Sequence, residues 1–354
     1  MWDQHASLIL LISPLPALFA ARRFCLMKCL LPFLLSPVLA LAADKPAPVF
    51  RIQRLDPALD AVLPPDAIVE MVAEGFRWAE GPVWKGDHIY FSDVPQNIIY
   101  RWAPGEKAAA IFLQPSGGIK STPAFREPGS NGLACDAQKR LILCQQGLRR
   151  IARLEKDGSQ TALADRYDGK RFNSPNDLTI AKNGDIYFTD PPYGLAGGEK
   201  SPIKELEFSG VYRLSGGKVT LLTDEHRYPN GIALSPDEKT LYVNTSDPRA
   251  PQVHAYDLQA DGTLAKHRVF FDTTPLARTG PGVPDGLKVD CAGNVWTSGP
   301  GGILIISPKG RHLGTIQTGQ PTANCGWGEE GGTLYITANT YLLRVKTETK
   351  GAGW

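Results

Sequence analysis

Downstream of residue 67 the chain alternates short apolar runs with polar turn clusters, and one such unit recurs six times. The units open at Glu80-Gly81-Pro82-Val83-Trp84, Asn131-Gly132-Leu133-Ala134-Cys135, Asn176-Asp177-Leu178-Thr179-Ile180, Asn230-Gly231-Ile232-Ala233-Leu234, Asp285-Gly286-Leu287-Lys288-Val289 and Asn324-Cys325-Gly326-Trp327. Each begins with a polar residue and continues as a short strand. A turn such as Lys182-Asn183-Gly184-Asp185 leads into a second strand rich in aromatic and β-branched residues, for example Ile186-Tyr187-Phe188-Thr189. That is a repeated β-hairpin signal. The units are spaced by roughly 40–55 residues, the length of one four-stranded propeller blade. A lone blade leaves both faces of its sheet in water, whereas packing blades around an axis buries them. No sustained helical periodicity competes after Ala42. The pattern predicts an all-β, six-bladed β-propeller in a single domain over residues 67–348, with 349–354 as a C-terminal tail. The strand spanning Ile68 to Val72 is expected to complete the last blade and close the ring without a covalent bond.

The segment before the repeat has a different composition. Lys28 precedes an apolar run from Leu30 to Ala42 that ends in a small-x-small site, the pattern of a secretory signal. The run is too short and too interrupted by proline for a stable membrane span. A signal peptide over 1–42 and an exported extension over 43–66 follow. Met27 is an alternative initiator, and Arg22-Arg23 a degenerate twin-arginine element; either reading sends the protein to the periplasm or outside the cell. Of 354 residues, 38 are basic and 36 acidic, and they are interspersed. Without a basic run or an aromatic-basic stripe, a nucleic-acid partner is excluded. The mature chain keeps Cys135, Cys144, Cys291 and Cys325, none in a C-x-x-C pair, so a thiolate metal site is not expected. Cys135 and Cys144 flank a hairpin, and both a disulfide and two buried thiols are open readings. A monomer or weak dimer is expected.

In a propeller the innermost strand of each blade starts at the central channel. The residues opening the repeats, Glu80, Asn131, Asn176, Asn230 and Asp285, with Asn324 as a sixth candidate, should therefore converge at one mouth. Asn-Gly and Asp-Gly also occur as plain turn chemistry, but that does not account for Glu80 at the same place. Two converging carboxylates repel unless a cation lies between them. Carboxylate and amide oxygens without imidazole or thiolate suit a hard divalent ion: Ca2+ first, Mg2+ or Mn2+ next, with Zn2+ a weaker option. No histidine opens a repeat, and His88, His226, His254, His267 and His312 read as surface or ordinary core residues.

At these motifs the chain resembles the senescence marker protein-30 and gluconolactonase family of six-bladed propeller lactonases, from about Val72 to Val345. The resemblance is carried by Ala79-Glu80-Gly81-Pro82-Val83-Trp84, Asn173-Ser174-Pro175-Asn176-Asp177-Leu178, Tyr187-Phe188-Thr189-Asp190-Pro191-Pro192-Tyr193-Gly194, Pro229-Asn230-Gly231-Ile232 and Pro284-Asp285-Gly286-Leu287. It implies metal ligation by Glu80, Asn176, Asn230 and Asp285, the Asn176 position being a direct ligand in some members and a substrate or water contact in others, with Asp285 also orienting or activating water. Asn131, Asn173 and Tyr193 are expected to contact substrate, a small sugar lactone such as glucono-1,5-lactone. Two positions depart from the family pattern. Ser174 stands where animal members carry a substrate-binding arginine, and Gln146 where many bacterial members carry a channel histidine. A metal-dependent phosphoesterase-like hydrolase and a non-catalytic propeller with a structural calcium are the competing readings. No Gly-x-Ser-x-Gly motif points to an acyl-enzyme.

Overall fold

The computed structural model describes residues 48–354; the signal peptide and the first residues of the expected extension lie outside the described residues. Six antiparallel sheets follow one another along the chain, each running outward from an innermost strand. The innermost strands are Ala79–Lys85, Ser130–Cys135, Leu178–Ile180, Pro229–Leu234, Leu287–Val289 and Asn324–Gly328. These define blades one to six, and the only helices among the described residues are three short 3-10 turns.

Closure uses the start of the chain. Val69–Glu74 pairs antiparallel with Tyr341–Lys346 as the outermost strand of blade six, with Val69 opposite Val345. A strand that precedes blade one thus shares a sheet with the last strand of the polypeptide, and opening the ring requires breaking that ladder. A second clamp was not anticipated. Arg51–Arg54 adds a fifth strand to blade five, pairing Arg51 with Gln317. The 3-10 turn Pro57–Ala61, capped by the Asp56 carboxylate, then buries Leu59. Leu59, Val62 and Leu63 pack against Trp296, Ile303 and Ile316 of blade five and Leu343 and Val345 of blade six. Residues 51–63 therefore belong to the packed body, although their sequence lacks the repeat and predicts only an extension. Their apolar positions have no hairpin partner nearby, and strand addition to a distant sheet leaves no local signal.

The glycine that follows the opening residue in blades one, two, four and five has a purpose beyond turning. Gly231 N–H donates to the carbonyl of Asp285 in the next blade at 2.8 Å. A Cβ at Gly231 would lie 2.2 Å from that oxygen, and one at Gly286 would lie 1.9 Å from the Asn324 side chain. Side chains are excluded where neighbouring inner strands close on one another, so the recurring glycine records blade-to-blade approach. The inner strands of blades one, two and four also shift register between Glu80 and Val83, Ser130 and Leu133, and Pro229 and Ile232. Such bulges re-aim side chains at a sheet end.

The four cysteines of the described region are free thiols. Cys135 sits opposite Leu141, and Cys144 packs in a separate cluster with Phe172 and Phe188. The two face different cores, which settles the hairpin reading in favour of thiols.

Candidate active site

All six blades contribute to one cavity of about 370 Å³ at the starts of the inner strands. Glu80, Asn131, Asn176, Asn230 and Asp285 line it, one from each of blades one to five, with Pro321 and Thr322 before blade six. Tyr193 forms a wall, stacked on Tyr228 at 5.7 Å between ring centroids. The sequence repeat thus places its opening residues around a common space. Asn324 is the exception. It lies beneath the cavity, where its Nδ2 donates to Glu80 Oε2 and to Asp177 Oδ2, each at 3.2 Å.

Asp177 is a residue the sequence reading passed over. It occupies the position that is glycine in blades one, two, four and five, so its carboxylate enters the channel below Glu80. Its partners there are Asn324 and Lys288, whose Nζ lies 3.9 Å from Asp177 Oδ2. An aspartate in place of the repeat's glycine was the available signal.

Three acidic groups thus crowd the axis. Burial, and then the charge of Asp177, push the Glu80 carboxyl up to about 8, against the pull of the Gly81 N–H at 2.7 Å. Asp285 is raised well above the usual carboxylate range, first by burial and then by Glu80, Asp177 and Glu127; Asn230 opposes this. Asp177 is itself raised by burial, with Lys288 opposing. Left alone, the cluster favours protonated acids, the expected state of an anionic site lacking a counter-charge.

The donor set fits a divalent cation. Carboxylate and amide oxygens face the cavity, and neither imidazole nor thiolate is among the lining residues. Asn131 Oδ1 is buried without a hydrogen-bond partner among the described residues, an acceptor aimed at something other than protein. Asn230 keeps its Nδ2 on Ser246 Oγ at 2.9 Å, which turns the amide and fixes its carbonyl oxygen.

Asn173 is placed differently from expectation. It is fully buried and absent from the cavity lining, with Nδ2 donating to the carbonyls of Asp190 and Phe208 at 2.9 and 2.8 Å. Its own N–H and that of Ser174 donate to the Asp190 carboxyl, whose pKa burial pushes up to about 7. Asn173 therefore braces the loop that carries Asn176. Ser174 does similar work: its Oγ donates to Pro191 O at 2.6 Å and accepts from Gly194 N at 2.9 Å. In this chain that position anchors the Tyr193 loop. Gln146 is fully buried against Gly194 and likewise does not reach the cavity.

Two cavity residues come from a loop with no repeat signature. Arg126 and Glu127 precede blade two, and both of their N–H groups donate to Gly194 O, at 2.9 and 3.3 Å. Ala196 N–H returns a bond to Ala124 O at 2.9 Å, so the two loops are zipped together over the mouth. The Arg126 guanidinium pairs with Glu127 at 2.9 Å, while burial raises the Glu127 carboxyl. This pair supplies a cation and a polar acid at the rim, where the Ser174 position supplies none.

A family model described as SMP-30/Gluconolactonase/LRE-like region matches residues 78–340. A gluconolactonase from Zymomonas mobilis is 43% identical over 316 residues, covering 85% of this chain and 87% of that protein. Among solved structures, a gluconolactonase from Xanthomonas campestris superposes with a TM-score of 0.72 at 32% identity, over 84% of this chain and 94% of that one. A calcium-binding regucalcin from Agrobacterium tumefaciens superposes at 0.62 with 19% identity, over 79% of this chain and 96% of that one, a likeness of fold alone.

Proposed function

The chain belongs to the SMP-30/gluconolactonase/LRE-like family and is a lactonase; from that premise we propose that it hydrolyses a small sugar lactone, such as glucono-1,5-lactone, in the axial cavity. One divalent cation, calcium, would be held by Glu80, Asn176, Asn230 and Asp285. The observation that carries this reading is the convergence of these four side chains on one cavity whose carboxyls are raised by burial and by one another. When bound, the cation supplies Lewis-acid polarisation of the ester carbonyl.

The chain's own residues supply the rest. Asp285 is partly exposed to the cavity and fixed by the bond from its N–H to Ser298 Oγ at 2.7 Å. Its carboxylate orients water and accepts a proton as the water attacks. Neutralising the crowd at Glu80 and Asp177 keeps Asp285 ionised, the form a base requires. The Asn131 Oδ1, otherwise unpartnered, accepts a sugar hydroxyl. Tyr193, backed by Tyr228, walls the ring's apolar face, and Arg126 with Glu127 bonds the outer hydroxyls. A cavity of about 370 Å³ is of a size to hold a single sugar ring.

Comparing wild type with Asp285→Asn on a panel of glucono-1,5-lactone, a pentonolactone and an aliphatic lactone tests this. The sugar lactones should turn over fastest, and the variant should lose nearly all turnover. Equal rates for the aliphatic lactone, or an active variant, would defeat the reading. Export rests on the run Leu30 to Ala42, and peptide sequencing of the mature N-terminus checks it, with Ala43 as the expected first residue.

A further inference from the structure

Outside the cavity, blade four carries an imidazole cluster on its outer part. His254 lies on the third strand, Gln252–Leu258, and His267 on the fourth, Leu264–Asp272, while His226 comes from the chain entering the blade. One nitrogen from each ring falls within 4.8 Å of the others. We propose that His226, His254 and His267 form a second metal site, for a borderline divalent transition ion such as Zn2+.

The geometry comes from strand register. His254 is opposite Val269, and the ladder slips between Ala255 and Asp257, where Lys266 takes a φ of 44°. The bulge bends the outer strand beside His267. His254 Nδ1 and His267 Nε2 meet at 2.9 Å, and the His226 and His254 rings lie 4.2 Å apart. The remaining contacts resemble the outer partners that orient metal-bound imidazoles. His226 Nε2 is hydrogen-bonded to the Tyr256 hydroxyl, and His254 Nε2 is 3.4 Å from Thr245 Oγ1.

Three imidazoles and no carboxylate within the cluster select against calcium and for zinc, copper or nickel. Zinc–nitrogen bonds of about 2.0–2.1 Å put tetrahedral ligands roughly 3.3 Å apart, so the rings need to move by about 1.5 Å at most. Coordination replaces the His254–His267 hydrogen bond. Burial lowers His226 to about 4 and His254 to about 3, each helped by the neighbouring imidazoles, so both present neutral nitrogens at pH 7. His267 is exposed and gives the ion an entry path, leaving a fourth position for water. The nearby cations Lys266 and Arg268 are met by Asp257, at 3.8 and 2.9 Å. The site is chemically distinct from the oxygen-lined channel.

Titration of the full mature protein with Zn2+, followed through its imidazole nitrogen resonances, tests the proposal. One equivalent should shift three rings together, and His267→Ala, an exposed change that leaves lactone hydrolysis within twofold, should weaken zinc binding at least tenfold. His254→Gln should do the same if it folds. Zinc that leaves these rings unmoved, or that binds wild type and His267→Ala equally, would overturn it. So would a response seen only with Ca2+.

Discussion

The two ends of the propeller channel are made by the same six strands and differ in almost every other respect. At the strand starts lie Glu80, Asn131, Asn176, Asn230 and Asp285, with the Arg126–Glu127 pair at the rim. At the far end the same strands present Val83, Trp84, Leu133, Leu178, Ala233, Val289 and Trp327, and the tail residues Ala352 to Trp354 lie across them. Ala352 N–H donates to Val289 O at 2.9 Å, which ties that tail to blade five. Lys288 is the acidic cluster's nearby cation and approaches Asp177 from that side. One end is thus built to gather negative charge and the other to cover apolar surface. The difference shows that the repeat concentrates its chemistry at the strand starts, in the opening residues and in Asp177 beside them, while most later positions of the inner strands pack, Lys288 being an exception.

If that division is correct, substitutions at the two ends should have effects of different size. Glu80→Gln or Asp285→Asn should lower kcat/KM by about 10³-fold or more, since in the proposed mechanism Glu80 would hold the cation and Asp285 would orient the water. Lys288→Met, at the other end, should change it less than about tenfold, because Lys288 lies outside the cavity lining and acts on the acids only through its charge. Steady-state kinetics on glucono-1,5-lactone separates the two, and comparable losses would erase the distinction.

The acidic end should also control stability. Burial and the charge of Asp177 push the folded Glu80 carboxyl from its ordinary 4.5 up to about 8, so its favourable contribution is complete below about 4.5 and is lost as pH rises through 8. Metal-stripped protein should therefore melt roughly 5–10 °C lower at pH 8.5 than at pH 6.5, and Ca2+ should abolish most of the difference. His226 and His254 are neutral over that interval and do not obscure it. Asp285→Asn replaces a buried acid whose ionisation burial and Glu80 oppose with a neutral amide, so it should raise the melting temperature of stripped protein while abolishing activity. Calorimetry at the two pH values reads both effects.

A smaller effect distinguishes the rim from the floor of the cavity. Arg126→Ala should raise KM for sugar lactones about fivefold to tenfold with kcat within about twofold, the pattern of lost ground-state binding. A fall in kcat alone would place Arg126 in the chemistry instead.

Much of this was readable from the sequence because a propeller repeats its geometry. A polar residue opening a short strand at equivalent places, followed by glycine in four of the six units, marks both the blade count and the positions of Glu80, Asn131, Asn176, Asn230 and Asp285. The glycine's reason was not readable, since the approach of Gly231 to Asp285 O spans two blades. Asp177 was hidden by looking like an ordinary variant of that glycine. Arg126 and Glu127 sit in a loop without a repeat, held in place by Gly194 from a distant segment. Asn173 was read as a substrate contact because it adjoins a motif, yet its amide nitrogen is spent on two backbone carbonyls. The histidines were read singly, because 28 and 13 residues separate them and only strand register brings them together.

The central claim is that the acids on the axis hold a cation that hydrolysis requires. Its most direct measurement is the rate of glucono-1,5-lactone hydrolysis by chelator-stripped protein as Ca2+ is returned, with Glu80→Gln alongside. The account predicts negligible enzymatic rate without metal, recovery that saturates at one ion per chain, and a demand for at least about 100-fold more calcium in the variant. Full activity in stripped protein, or the same calcium dependence in both proteins, would contradict it.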